Sequence, residues 1–153
     1  MSTIREHILE NIKTTLETVQ TANGYANDIA SVQRWLQKGN SLRLIPCIVI
    51  NAGPEEKDPT PNPLMTCRLS VYLDVFIRQD EADLTPTDTI LNSILGDIEK
   101  ALMVDYTRGG YAENTLIKGN TAFEAVEGQP NAGIIIELEI VYEHLMTDPE
   151  VAG

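Results

Sequence analysis

The chain has 153 residues, enough to bury a core without metals or disulfides, and its apolar content of 42% is ordinary while its aromatic content of 5% points to an aliphatic core. The formal charge of -12 is uneven: residues 1–78 carry eight acids and eight bases, residues 79–153 fifteen acids and three bases. Such a surface repels a phosphate backbone and argues against groove-reading nucleic-acid binding, and the apolar runs fall short of the roughly twenty residues of a membrane span.

In chain order, Thr3 and Glu6 form a capping box ahead of Ile4, Ile8, Ile12, Leu16 and Val19 at helical spacing. This predicts an amphipathic helix ending near Asn23-Gly24, a pair suited to a left-handed cap. Ile29–Leu36 reads as a strand and Gln37–Ser41 as a turn. Leu44–Ile50 is a continuous apolar run, a buried strand with Pro46 outside the ladder.

Pro54, Glu55, Glu56, Lys57, Asp58, Pro59, Pro61 and Pro63 follow, and the stretch 54–63 reads as a surface loop that joins neither helix nor sheet. It suits a subunit or tube contact loop as well as it suits a plain hairpin connection. From Thr66 to Arg78, Leu69, Val71, Leu73, Val75 and Ile77 alternate with Ser70, Tyr72, Asp74 and Phe76. Thirteen extended residues span roughly 43 Å at about 3.3 Å each. A strand of that length is expected to run beyond its own domain, as a long hairpin or as part of a surface shared between subunits.

Asp80–Asp83 is an acidic turn, and Thr85-Pro86-Thr87-Asp88 predicts a helix capped by Thr85 with proline at its first position. Ile90, Leu91, Ile94, Leu95, Ile98 and Leu102 give it an apolar stripe. Arg108, Gly109, Gly110 and Tyr111 form a second candidate contact loop. Leu116–Val126 is a short irregular strand, Gly128–Asn131 a turn, and Gly133–Tyr142 alternates again. Residues from about 147 read as a loose tail. The order predicts one α+β domain over 1–153, a mainly antiparallel sheet with two helices packed on one face.

Chemistry is sparse. His7 and His144 lie far apart in the sequence and read as solvated or partner-facing, and Cys47 and Cys67 as buried reduced thiols, with a cross-strand disulfide as the alternative. Glu137, Glu139 and Glu143 share one strand face, the first two about 7 Å apart by strand rise. A carboxylate pair can hydrolyse glycosides when one member sits in an apolar pocket, but no pocket signal surrounds these. They read as an acidic surface. No catalytic, cofactor-binding or metal-ligating set stands out, so an enzyme is not expected.

The chain resembles the tail terminator, or tail completion, proteins of long-tailed bacteriophages, the lambda-type minor tail proteins. The resemblance runs through the first helix, Pro46-Cys47-Ile48-Val49-Ile50 into Gly53-Pro54-Glu55, the strand Leu69–Ile77 and the helix Thr87–Leu102. It continues in Arg108-Gly109-Gly110-Tyr111 and a last strand reaching Tyr142 before Asp148-Pro149. It implies a structural virion protein without cofactors that forms a hexameric ring, caps the tail tube, ends its polymerisation and presents a surface to the head connector. Its partners would be its own copies, the tube protein and the connector, with DNA passing through unbound. Glu137, Glu139 and Glu143 would then face the lumen. Its place would be the virion, and the host cytoplasm during assembly. The alternatives are another neck component, such as a head-tail joining or tube protein, and a non-viral α+β domain binding a small ligand or peptide.

Overall fold

The computed structural model describes residues 2–35, 45–61, 63–78, 85–123 and 131–153. The turns expected over Gln37–Ser41 and Asp80–Asp83, and that over Gly128–Asn131 except for its last residue, lie outside them, as does the end of the strand expected to reach Val126. The elements are helix α1 (Ile4–Glu17), strands β1 (Ser31–Arg34), β2 (Cys47–Pro59) and β3 (Leu64–Arg78), helix α2 (Thr87–Val104), and strands β4 (Asn114–Phe123), β5 (Asn131–Leu145) and β6 (Asp148–Ala152). The sheet order is β1-β2-β3-β5-β4, with β6 beside β5. Among the described residues only β1 and β2 run parallel; every other pair is antiparallel. Both helices lie against one face, α1 over β1, β2 and β6 and α2 over β4 and β5. This is the α+β architecture the residue order implies.

Thr3 Oγ1 accepts the Glu6 N–H at 3.1 Å, and Ile4, Ile8, Leu9, Ile12 and Leu16 of α1 are buried. The helix stops at Glu17, earlier than Asn23-Gly24. The Thr18 hydroxyl donates back to the Thr15 carbonyl at 2.6 Å, and a separate 3-10 turn over Thr21–Asn23 ends on Gly24 at φ 92°. The Asn-Gly pair therefore closes that turn, not α1. Helix α2 starts one residue later than its proline implies. Pro86 is itself the cap, with extended ψ of 139° and no side-chain acceptor, while its carbonyl takes the Thr89 N–H at 3.0 Å.

Three expectations are corrected. The stretch 54–63 is not a loop outside the sheet: β2 continues to Pro59, and Glu55 to Pro59 pair with Leu69 to Met65. A bulge between Ala52 and Glu55 takes up Gly53 and Pro54, and among the described residues β2 has β3 as its only neighbour beyond Ile50. Prolines fit there because a bulge and an edge leave N–H positions unused. The Thr60 N–H meets the Leu64 carbonyl at 3.0 Å where the chain passes from β2 to β3.

Second, of the two forms expected for the long strand, β3 takes that of a long hairpin, with β2, and stays within its domain. Its inward residues Cys67, Leu69, Val71, Leu73, Val75 and Ile77 are all buried, and β2 and β5 match its length. Each of the five larger apolar side chains is worth about 1.5–3 kcal/mol of burial. Third, the expected tail is β6. It pairs with His144 and Leu145, and the Gly153 N–H reaches the Glu143 carbonyl at 3.3 Å.

Candidate functional site

The sheet face turned away from the helices is built by the β3–β5 register, which sets Thr66 against Glu143, Ser70 against Glu139, Tyr72 against Glu137 and Phe76 against Gly133. Alternation thus places the three expected acids on this outer face, each half-buried among its neighbours. Two aromatic side chains lie over glycines. Phe76 and Phe123 meet edge-on with ring centroids 5.5 Å apart, and a Cβ on Gly133 would come within 2.2 Å of Phe123. Tyr72 covers Gly53 in the same way, at 2.5 Å from a built Cβ. Cys47 and Val49 also belong to this face by register, and both are buried.

Charge on the face is graded. The Lys118 ammonium stands 3.5 Å from the Glu139 carboxylate. Glu143 shares a hydrogen bond with Glu113 and raises the Glu113 pKa above the usual carboxylate range, as like charges at close quarters must. Burial pushes Asp74 up, against the opposing effect of the Asn51 amide that donates to it at 2.9 Å. Pro54, Glu56, Arg68, Ser70 and Glu139 line a shallow hollow of about 180 Å³. Two groups that the sequence kept apart, the proline-rich stretch and the β5 acids, therefore meet here.

The bulge divides that proline-rich stretch between two faces. Glu56 and Asp58, opposite Arg68 and Thr66, point outward and are exposed, as are Pro54, Pro59, Pro61 and Pro63. Glu55 and Lys57, opposite Leu69 and Cys67, belong to the inner face. Here they join a polar cluster that the sequence did not reveal. The Tyr142 hydroxyl donates to Glu55 Oε2 at 2.6 Å, Arg5 lies 3.6 Å from the same oxygen and Lys57 lies 3.4 Å from Oε1. Lys57 also reaches His144 Nε2 at 3.0 Å, while His144 Nδ1 is 2.6 Å from the Leu145 carbonyl. With an ammonium donating to Nε2, the ring proton sits on Nδ1. His144 is thus buried, against the expectation of a solvent- or partner-facing residue. Glu55 is likewise no free contact residue. Burial and the Glu55 carboxylate push the Tyr142 phenol far up, so it remains a donor, and burial pushes the Cys67 thiol up. Both cysteines are free and buried.

The second candidate loop also splits. Arg108 is fully buried at φ 52°, its guanidinium donating to the carbonyls of Leu102 and Asp105 at the end of α2. It is a staple for the helix terminus, where a cation suits the macrodipole, and not a surface contact. Burial lowers its pKa, and Nε and Nη1 have no hydrogen-bond partner among the described residues. Asp105 accepts the Thr107 and Gly109 N–H groups at 3.0 and 2.9 Å, and the Thr107 hydroxyl; these bonds hold its carboxyl below the usual range. Gly109 and Gly110 take φ of 73° and 89°, which only glycine adopts cheaply. Tyr111 is exposed and stacks on His7, rings 4.4 Å apart and 8° from parallel.

No helix among the described residues is long and apolar enough to cross a membrane. Compared with known proteins, the chain matches no family model and no curated protein.

Proposed function

We propose that this chain is a structural virion subunit of a long-tailed bacteriophage, a tail terminator that closes into a ring on the end of the tail tube. In that role it acts by docking and not by catalysis. The observation that carries the reading is the outer sheet face. Both helices cover the opposite face, and this one holds Glu56, Asp58, Glu137, Glu139 and Glu143 beside the partly exposed Leu116 and Ile135. A surface that is apolar in patches and carries more acids than bases can pack against protein and repel a phosphate backbone. The length of β3 adds nothing to this reading, because its inner face is covered within the subunit.

The partners in this reading are further copies of the chain, in a ring of six as in the family it resembles, the tube protein on one side and the head connector on the other. Genome DNA passes through without being held. The chain belongs to the virion and to the host cytoplasm during assembly. Growth of tail tubes from purified tube protein tests the role. Added chain should arrest elongation and bind the growing ends; tubes of unchanged length with bare ends would contradict it.

A further inference from the structure

The two lateral edges of the sheet differ. On one side stands β1, four residues long, whose last rung is the Trp35 N–H to the Ile50 carbonyl at 2.9 Å. Trp35 itself is 64% exposed at φ 53° and borders a hollow with Leu9, Ile50 and Ala52. Further along this side, the open stretch of β2 carries devices that blunt an edge: the bulge, Pro54, Pro59 and the inward charges Glu55 and Lys57.

On the other side, among the described residues, β4 is the edge; it contains no proline, has a bulge between Ile117 and Gly119, and leaves Leu116 37% exposed on the stretch before that bulge. Its one charge, Lys118, lies at that bulge, 3.5 Å from Glu139 of the outer face. Charge is divided along the same axis. α1, β1, β2 and β3 come from residues 1–78, with eight of the eleven bases; α2, β4, β5 and β6 come from residues 79–153, with fifteen of the twenty-three acids. Two β4 edges brought together would oppose two acidic halves. A β1 edge against a β4 edge sets the half in which eight bases balance eight acids against the acid-rich half, and so avoids that repulsion.

We propose that copies of this chain join head to tail, the β1 edge of one, with Trp35, seated against the β4 edge of the next, with Leu116. An exposed tryptophan is a frequent anchor of such contacts, and a head-to-tail contact between unlike surfaces is the kind that closes into a ring. The inference rests on the ring reading above and specifies its interface.

The test uses full-length Trp35→Cys and Leu116→Cys, with the native Cys47 and Cys67 buried and out of competition. Equal amounts of the two variants are treated with a short bis-maleimide, and native mass spectrometry of the untreated wild type runs in parallel. Head-to-tail contact predicts mixed dimers and no homodimers from the two single variants, and covalent ladders from the double variant. A closed wild-type oligomer without mixed crosslinks, or with Leu116→Cys homodimers, overturns the interface and leaves the ring. A wild type that is monomeric alone and on tail ends overturns both. Thr121→Cys, exposed on the same strand, replaces Leu116→Cys if that variant does not fold.

Discussion

Asp97 shows how a single carboxylate can fix a loop. It is a buried acid in the middle of α2, and it accepts the Ala26 N–H at 3.2 Å, the Asn27 N–H at 2.9 Å and the Asn27 side-chain amide at 2.8 Å. Asp97→Ala strands two partly buried backbone donors and should cost about 1–3 kcal/mol in a denaturant titration. A variant of unchanged stability would mean that water replaces the carboxylate without loss. Glu113 makes one contribution to the pH dependence whose sign can be worked out. Its pKa in the fold is raised by Glu143, so the folded chain holds a proton that the unfolded chain releases sooner. Its contribution is present below the unfolded value and is lost as pH rises through the folded one. Glu113→Gln should therefore be more stable than wild type at neutral pH, with the gap closing on acidification. Melting curves across that range check it; a gap that widens toward acid would reverse the assignment.

At the scale of elements, period-2 alternation located β3 and β5 and put Glu137, Glu139 and Glu143 on the correct face, because one side of those strands is a core that tolerates no slip. The polar cluster was illegible for the same kind of reason. The bulge between Ala52 and Glu55 inverts the facing of every later residue of β2, and Tyr142 meets Glu55 across 87 positions of sequence. Gly53-Pro54 was the signal available, and it reads equally well as the start of a loop. Arg108 was legible as a turn residue but not as a buried one, since only the placement of the α2 carbonyls shows what it binds. The apolar stripe of α2 proved right in direction, although Leu95 sits at its margin, half-buried, while Ile98 is wholly enclosed. Ile98→Asp should cost several kcal/mol of a total of about 5–15 and leave little folded protein at ordinary temperature. Cooperative melting near the wild-type midpoint would show that the helix does not seal the core.

At the scale of the molecule, the sheet is covered by helices on one side and turns its acidic side outward, toward the channel of the proposed ring if that face is the inner one. If the outer face lines a channel, replacing both Glu137 and Glu139 by lysine should leave the ring intact and slow DNA passage, more at low salt than at high, as phosphate contacts require. Ejection at the wild-type rate from correctly assembled double-lysine particles would place the face outside the lumen. The most direct measurement is electron microscopy of tail tubes incubated with the purified chain. The account predicts a closed ring of identical subunits at one end of each tube, with the sheets' acidic faces turned toward the axis; bare tube ends, with the chain monomeric in solution, would contradict it.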